Sequence, residues 1–545
     1  MNLSGAGPAQ HHSRMKIKTA RLLAAIALAA IPALAIAPNA GAQETPVRGG
    51  TLSFGVAGEP NTLDCHATNT FAVLHYVAPH YSTLLRFAPG EYPKIEGDIA
   101  ESWSASQDGL TWTFRIRPNV RFHDGTALSS ADVKASFERL RNPPTGVVSV
   151  RKAQFADIVS IETPDPATLV MRLRGPDAAF LSAMASPWNC IYSAQKLASD
   201  PDYPQRKVMG TGPFVFDEYR QGQPWVGKRF DGYFRQGQPY LDAFRAIPID
   251  GAATTNALAA GQLQAEFRGL GPAQRDRVAA SRGDKMRFFE GDRISVYVLA
   301  LNTQRPPFDD ARVRRALTLA LDRRVGQATM TRISSVRNAG GFLRPGTPMA
   351  ATPDELARLP GFGPDIAAAR AEARRLLAEA GQTKLNIRMI SRSIENPHQQ
   401  LAVYLIDQWR QIGVTTENVK LETAQWQATL LAGNFDAITD FSADPVDDPT
   451  IQLERFTSFD RAPNNASRAI DRTLDDLFDR QKRELDPAKR RVLVRQFEDR
   501  LLSEAYTIPL FWAFRIIPIA SEVQGWPFSP SHFLYQDLST VWIKP

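Results

Sequence analysis

Residues 301–324 read LNTQRPPFDDARVRRALTLALDRR, and the order of parts in this stretch decides the fold. It follows Ile294, Val296, Val298 and Ala300, an apolar extended segment that runs into Asn302-Thr303 and breaks at Pro306-Pro307. Asp309 stands where a helix N-cap is expected, and Asp310 in the first turn suits the positive end of the helix dipole. Val313, Ala316, Leu317, Ala320 and Leu321 then recur at helical spacing, so one face of the helix is built for burial. The arginines at 312, 314, 315, 323 and 324 are expected to solvate the opposite face. A strand handed to an amphipathic helix in this way is α/β architecture.

Further along, the alternation continues. A helix over 365–380 is capped by Asp365 and ended by Gly381. The strand 385–390, helix 401–412, strand 414–421, helix 425–432 and strand 435–441 follow. Helices near 467–484 and over 487–505 precede Ile508-Pro509-Leu510-Phe511, which starts a final return segment. Toward the N-terminus, residues 49–56 read as a short strand. Trp112, Phe114 and Ile116 alternate with polar residues as in a half-buried strand. Ser129 caps a helix with Asp132 at the capping-box position. His123, in the loop Phe122-His123-Asp124-Gly125, reads as a turn residue.

At the N-terminus, Arg14, Lys16, Lys18 and Arg21 precede an Ala-rich apolar run over 22–37 and the small residues Ala40-Gly41-Ala42. This is the layout of a signal peptide cleaved after Ala42, with Met1 or Met15 as the start. The run is too short for a membrane span. Removing those four basic residues lowers the formal net charge from +7 to +3. That balance argues against a dedicated nucleic-acid binder. Of 545 residues, 503 remain after cleavage, more than one core accommodates. Cys65 and Cys190 are the only cysteines. In an oxidising compartment an even pair points to a disulfide, with two buried free thiols as the alternative.

The motifs Asn61-Thr62-Leu63-Asp64, Ala100-Glu101-Ser102-Trp103, Phe122-His123-Asp124-Gly125 and Gly210-Thr211-Gly212-Pro213-Phe214 stand in order before the opening stretch. Together with it, this sequence resembles the bacterial extracellular solute-binding proteins of family five, the peptide and nickel receptors of ABC importers. The resemblance covers essentially the whole mature chain. It implies an enlarged type II periplasmic-binding-protein fold, α/β, with two lobes and a hinge between them. The expected division is a first lobe over 43–295 with an inserted subdomain at about 87–200, a second lobe over 296–506, and a return segment over 507–545. Segments around 294–302 and 507–511 would cross between the lobes. In such a fold Gly210–Phe214 is a structural turn, since it lacks the lysine of a phosphate-binding loop and leads into a strand.

The chain carries no G-x-S-x-G elbow, no H-E-x-x-H and no P-loop, so no motif supports a secreted hydrolase. His75 and His80 are five residues apart and would not share a helical face, which leaves no metal site with His66. No cofactor is expected. The resemblance instead implies a binding role. In peptide receptors of this family, the strand corresponding to 435–441 is followed by an aspartate that pairs with the peptide's α-ammonium. Asp444 is the best match and Asp447 the rival. Arg392 stands close to the arginine that takes the ligand's carboxylate, a task its planar fork suits. Trp426 and Phe441 are candidates for side-chain pockets. The expectation is a monomeric periplasmic receptor for short peptides, which works with a membrane permease and separate ATPase subunits. Nickel chelates, opines and oligosaccharides are the alternative ligands.

Overall fold

The computed structural model describes residues 45–545; the signal segment and its cleavage point after Ala42 lie outside the described residues. An eleven-stranded sheet runs through the molecule. Its strands are β1 (Thr51–Val56), β2 (Phe214–Glu218), β3 (Trp225–Arg229), β4 (Ala243–Pro248), β5 (Ala265–Glu266), β6 (Met286–Leu301), β7 (Val336–Asn338), β8 (Asn386–Arg392), β9 (Thr415–Leu421), β10 (Ala437–Ala443) and β11 (Thr507–Ala520). They lie in the order β9-β8-β10-β6-β11-β5-β1-β4-β3-β2, with β7 against β11.

The two long central strands hold this arrangement together. From Ile294 to Leu301 every residue of β6 is buried, because both faces are covered. Tyr297, Leu299 and Leu301 enter one core with Val313, Ala316, Leu317, Ala320 and Leu321, while Val296 and Val298 enter another with Phe497, Leu501 and Trp512. β11 changes core along its length. Ile508, Leu510 and Phe511 pack in the second lobe, whereas Ile517 and Ile519 pack in the first with Leu52, Phe54 and Phe244. The antiparallel ladder between β6 and β11 shifts register between Asp292 and Val296. Beyond that point β6 also pairs with β10, from Ser295↔Ala443 onward.

The helix of the opening stretch spans Ala311–Leu319, and its N-cap is Asp310, not Asp309: the Asp310 carboxylate accepts from the Arg312 N–H at 2.8 Å. The expected arginine face is corrected as well. Arg314 and Arg323 are buried at 3% and 5% exposure. Arg314 donates to the carbonyls of Phe308, Asp309 and Glu504 at 2.9–3.0 Å, and Arg323 to those of Gly361 and Pro509 at 2.7 and 3.0 Å. A guanidinium carries five donors, and here they satisfy backbone carbonyls in turns, in a strand and at the end of the helix Pro487–Glu504.

Within the first third, a separate four-stranded antiparallel sheet (Ala100–Ala105, Thr111–Ile116, Thr168–Leu173, Ile158–Asp165) covers the helix Ser130–Arg141. Phe114, Phe122, Phe137 and Leu169 fill its own core. The Asp132 carboxylate accepts from the Ser129 N–H at 2.8 Å, the capping interaction the sequence indicates. Cys65 and Cys190 are disulfide-bonded with Cα atoms 6.1 Å apart. Beside the bond, Arg139 pairs with the buried Asp64 at 2.6 Å. Burial alone would raise the Asp64 carboxyl, but His66 and Arg139 hold it below the usual range.

Gly212 belongs to a close approach. A Cβ there would lie 2.5 Å from the backbone of His80 and Tyr81, so only glycine lets the two segments touch. His123 clamps the same turn, its backbone N–H donating to Gly210 O at 2.9 Å and its Nε2 lying 3.0 Å from Gly212 O. His66 and His80 bond to Cys190 O and Phe214 O respectively.

Candidate ligand-binding site

Strands β8 and β10 are parallel neighbours, with Met389 level with Ala437 and Ile390 with Ile438. Their carboxyl ends point to one edge of the second lobe, where open α/β sheets place their ligands. Arg392 is the last residue of β8, and Asp444 follows directly on the end of β10.

Arg392 is held from beneath by aromatic rings. Its guanidinium lies 5.5 Å from the centre of Trp426 and 5.6 Å from that of Phe441. One amino group donates to Thr423 Oγ1 at 2.8 Å, and the other lies 3.5 Å from His398 Nε2. Nε is buried with no partner. Among the described residues no carboxylate lies within ion-pair distance of Arg392. The nearest acid in register, Asp440, is bound to Arg455 at 2.5 Å. Burial pushes the Arg392 guanidinium below its ordinary value. Trp426 is 3% exposed and its indole N–H donates to Thr439 O at 3.1 Å. It is therefore a floor under Arg392, not a wall of an open pocket. Phe441 is only half-buried and faces Tyr297 and His398, with ring centres 6.0 and 5.9 Å away.

Asp444 lines a cavity of about 350 Å³ between the lobes. Ala443, Pro445, Glu454 and Lys482 share its wall, and Asn69, Arg151, Trp188 and Phe533 face them from the first lobe. The Asp444 carboxylate accepts one hydrogen bond, from the Ser442 hydroxyl at 2.5 Å, and has no ion-pair partner among the described residues. Burial pushes its carboxyl up to about 6; Ser442 and Arg455 pull against that rise, and Asp447 adds to it. Asp447 is in a different position. Arg344 grips its carboxylate at 2.6–3.1 Å, and its backbone N–H donates to Tyr92 Oη at 2.7 Å. Of the two aspartates, Asp444 alone has a carboxylate left without a cation.

The opposite wall was not indicated by the sequence. Arg151 donates to Cys65 O, Thr68 O and Asn69 Oδ1 at 2.7–3.0 Å and lies 4.9 Å above the Trp188 ring. Burial lowers it to about 9. Lys482 closes the cavity from the second lobe by pairing with Asp157 at 2.6 Å. These residues come from loops and helix ends far apart in the chain, where no local pattern marks them.

Two lobes that share crossing strands, with charged and aromatic groups on the cavity between them, have the build of a solute receptor. The comparisons agree in kind. The family model of bacterial extracellular solute-binding proteins, family 5 Middle, matches residues 94–463. Heme-binding protein A of Haemophilus influenzae is 27% identical over 481 residues, which cover 83% of this chain and 84% of that protein. The glutathione-binding protein GsiB of Escherichia coli O1:K1 / APEC is 25% identical over 456 residues, 82% of this chain and 86% of its own. Among solved structures, the periplasmic binding protein DppA of Helicobacter pylori in complex with the peptide STSA superposes with a TM-score of 0.77 at 22% identity, over 92% of this chain and 99% of that one. The chain belongs to the bacterial extracellular solute-binding proteins, family 5.

Proposed function

We propose that this protein is the periplasmic receptor of an ABC importer and captures short peptides by closure of its lobes. Export with cleavage after Ala42, a monomeric state, and delivery to a membrane permease with separate ATPase subunits belong to the same reading. So does the division into lobes near residues 295 and 506. The observation that carries it is the pair of opposite, unpartnered charges on one edge of the second lobe. Asp444 takes the peptide's α-ammonium, because a charge-assisted hydrogen bond is strong in a closed, dry cleft. Arg392, whose guanidinium has no acid of its own among the described residues, takes the carboxylate. The β8–β10 register places Arg392 level with Asp440, and Asp444 lies about 13 Å further along at ~3.3 Å per residue. A peptide of roughly three to five residues, at about 3.4 Å each, spans that gap once side-chain reach is included. Phe441 contacts the ligand's side chains. Peptide-bound and glutathione-binding relatives give the reading its class.

A thermal-shift screen tests it, with di- to pentapeptides, their N-acetylated forms, nickel chelates, opines and oligosaccharides. Ligand at 100 times its dissociation constant adds about 2.7 kcal/mol of stability. Free peptides should stabilise the protein and acetylated ones should not. Silence toward every peptide, with a clear shift from another class, would discard the peptide and keep the receptor.

A further inference from the structure

Arg392 is not alone in lacking an acid within ion-pair distance among the described residues: Arg268 and Arg293 lack one too. Arg268 follows β5 in the first lobe, and its guanidinium stacks 3.9 Å over the ring of Phe71. Arg293 lies on β6 where the ladder to β11 changes register. Neither guanidinium has a hydrogen-bonded or ion-paired partner among the described residues, and the Arg293 Nε is buried with none. Arg515 is a different case: its two amino groups donate to Phe267 O at 2.9 Å, Ser531 O at 3.1 Å and Ser529 O, which leaves only its buried Nε without a partner.

Gly269, next to Arg268, packs against Arg515, where a Cβ would lie 2.8 Å from the Arg515 side chain, and Arg515 pairs with Gly291, two residues before Arg293. Tyr297 follows on the same strand with its ring centre 6.0 Å from Phe441, which in turn lies 5.6 Å from the Arg392 guanidinium, and the phenol is within electrostatic reach of all three cations. The one acid near Arg268 and Arg293 is Glu266. Its carboxylate accepts the backbone N–H groups of Arg268 and Gly269 at 2.9 and 2.5 Å. One carboxylate, already bonded, does not neutralise three guanidinia. The arginines buried elsewhere in this chain have partners of one kind or the other: Arg139, Arg490 and Arg495 pair with Asp64, Asp448 and Glu498, while Arg151 and Arg323 donate to backbone carbonyls. The half-buried Arg268 and Arg293 have neither. A buried cation left unpaired is costly, so the closed cleft favours a ligand that brings the missing charge. A peptide's C-terminus supplies one anion, and Arg392 absorbs it.

We propose that Arg268 and Arg293, with the Tyr297 phenol, form a second anion site, so that the preferred ligand carries a further carboxylate beyond its C-terminus. This rests on the peptide reading for the role of Arg392, and adds the class of peptide: acidic. The geometry places one cation on the first lobe and one on the crossing strand, so the second carboxylate bridges the lobes as they close.

Isothermal titration calorimetry of the full mature protein tests this with the tripeptides Glu-Ala-Ala, Ala-Glu-Ala and Ala-Ala-Glu, their glutamine counterparts, and citrate as a polycarboxylate without a peptide frame. At least one glutamate peptide should bind tenfold or more tighter than its glutamine counterpart. The double variant Arg268→Gln/Arg293→Gln should remove that preference while leaving the affinity for the glutamine peptide within about threefold. The wild-type comparison stands even if the variant misfolds. Equal affinity for glutamate and glutamine peptides would overturn the second anion site and leave the peptide reading intact. Citrate binding without any peptide binding, lost in the double variant, would support the site and discard the peptide. Silence toward every acidic probe overturns the proposal.

Discussion

Replacing Asp444 by asparagine separates the cost of the ligand-free site from its use. The carboxyl stands at about 6 against an ordinary 3.8, chiefly because burial disfavours the charge. A carboxyl raised in the folded state makes folding most favourable below the unfolded value. That contribution is lost as pH rises through the folded value. At ~1.36 kcal/mol per pH unit, the ionised Asp444 destabilises the ligand-free protein at neutral pH by about 3 kcal/mol. Asparagine keeps an acceptor for the Ser442 hydroxyl and removes the charge. Ligand-free Asp444→Asn should therefore match wild type at pH 3.5. It should be more stable by up to about 3 kcal/mol at pH 7.5, with the gap opening between pH 4 and 6. At roughly 2–4 °C per kcal/mol for a domain of 150–250 residues, differential scanning calorimetry across that range resolves it. The same variant should lose affinity for free-amine peptides. A stability difference independent of pH, or a variant less stable at every pH, would refute the reasoning, because the carboxylate would not then be an uncompensated buried charge.

Two further predictions concern the frame. The Cys65–Cys190 bond closes a loop of 125 residues, so Cys65→Ser/Cys190→Ser should cost about 3–5 kcal/mol, read as a lower Tm that no longer responds to reductant. Lys482 bridges the lobes through Asp157 in a partly exposed pair. Lys482→Ala should shift ligand-free solution scattering toward a larger radius and weaken peptide binding about fivefold, near 1 kcal/mol, while an unchanged radius would remove Lys482 from the closure.

How much of this was legible in the sequence depends on how local each signal is. The strand through Ile294–Ala300 and the helix face Val313–Leu321 could be read because their periodicity is written in consecutive residues. Arg314 and Arg323 were misread because an arginine's place is set by which carbonyls lie near it, and Glu504 and Pro509 arrive from the far end of the chain. The resemblance singled out Asp444 and Asp447 together. Choosing between them needed Arg344, which stands 103 residues from Asp447 and occupies its carboxylate. Arg268, Arg293 and Arg392 carry no shared motif, since three separate segments bring them together.

The register shift in β6 has a mechanical consequence. Between Asp292 and Val296 three residues of β6 stand opposite one of β11, so the rails of this ladder differ in length at that point. A bulge of this kind lets a ribbon twist without breaking the rungs on either side. The sheet therefore turns at 293–295 while both halves keep their pairing, and the freed edge of β6 is taken up elsewhere: Ile294 N–H donates to Pro530 O and Ser295 pairs with Ala443. One strand thus changes partners at the step where it leaves one half of the sheet for the other, and Arg293 stands at that exchange.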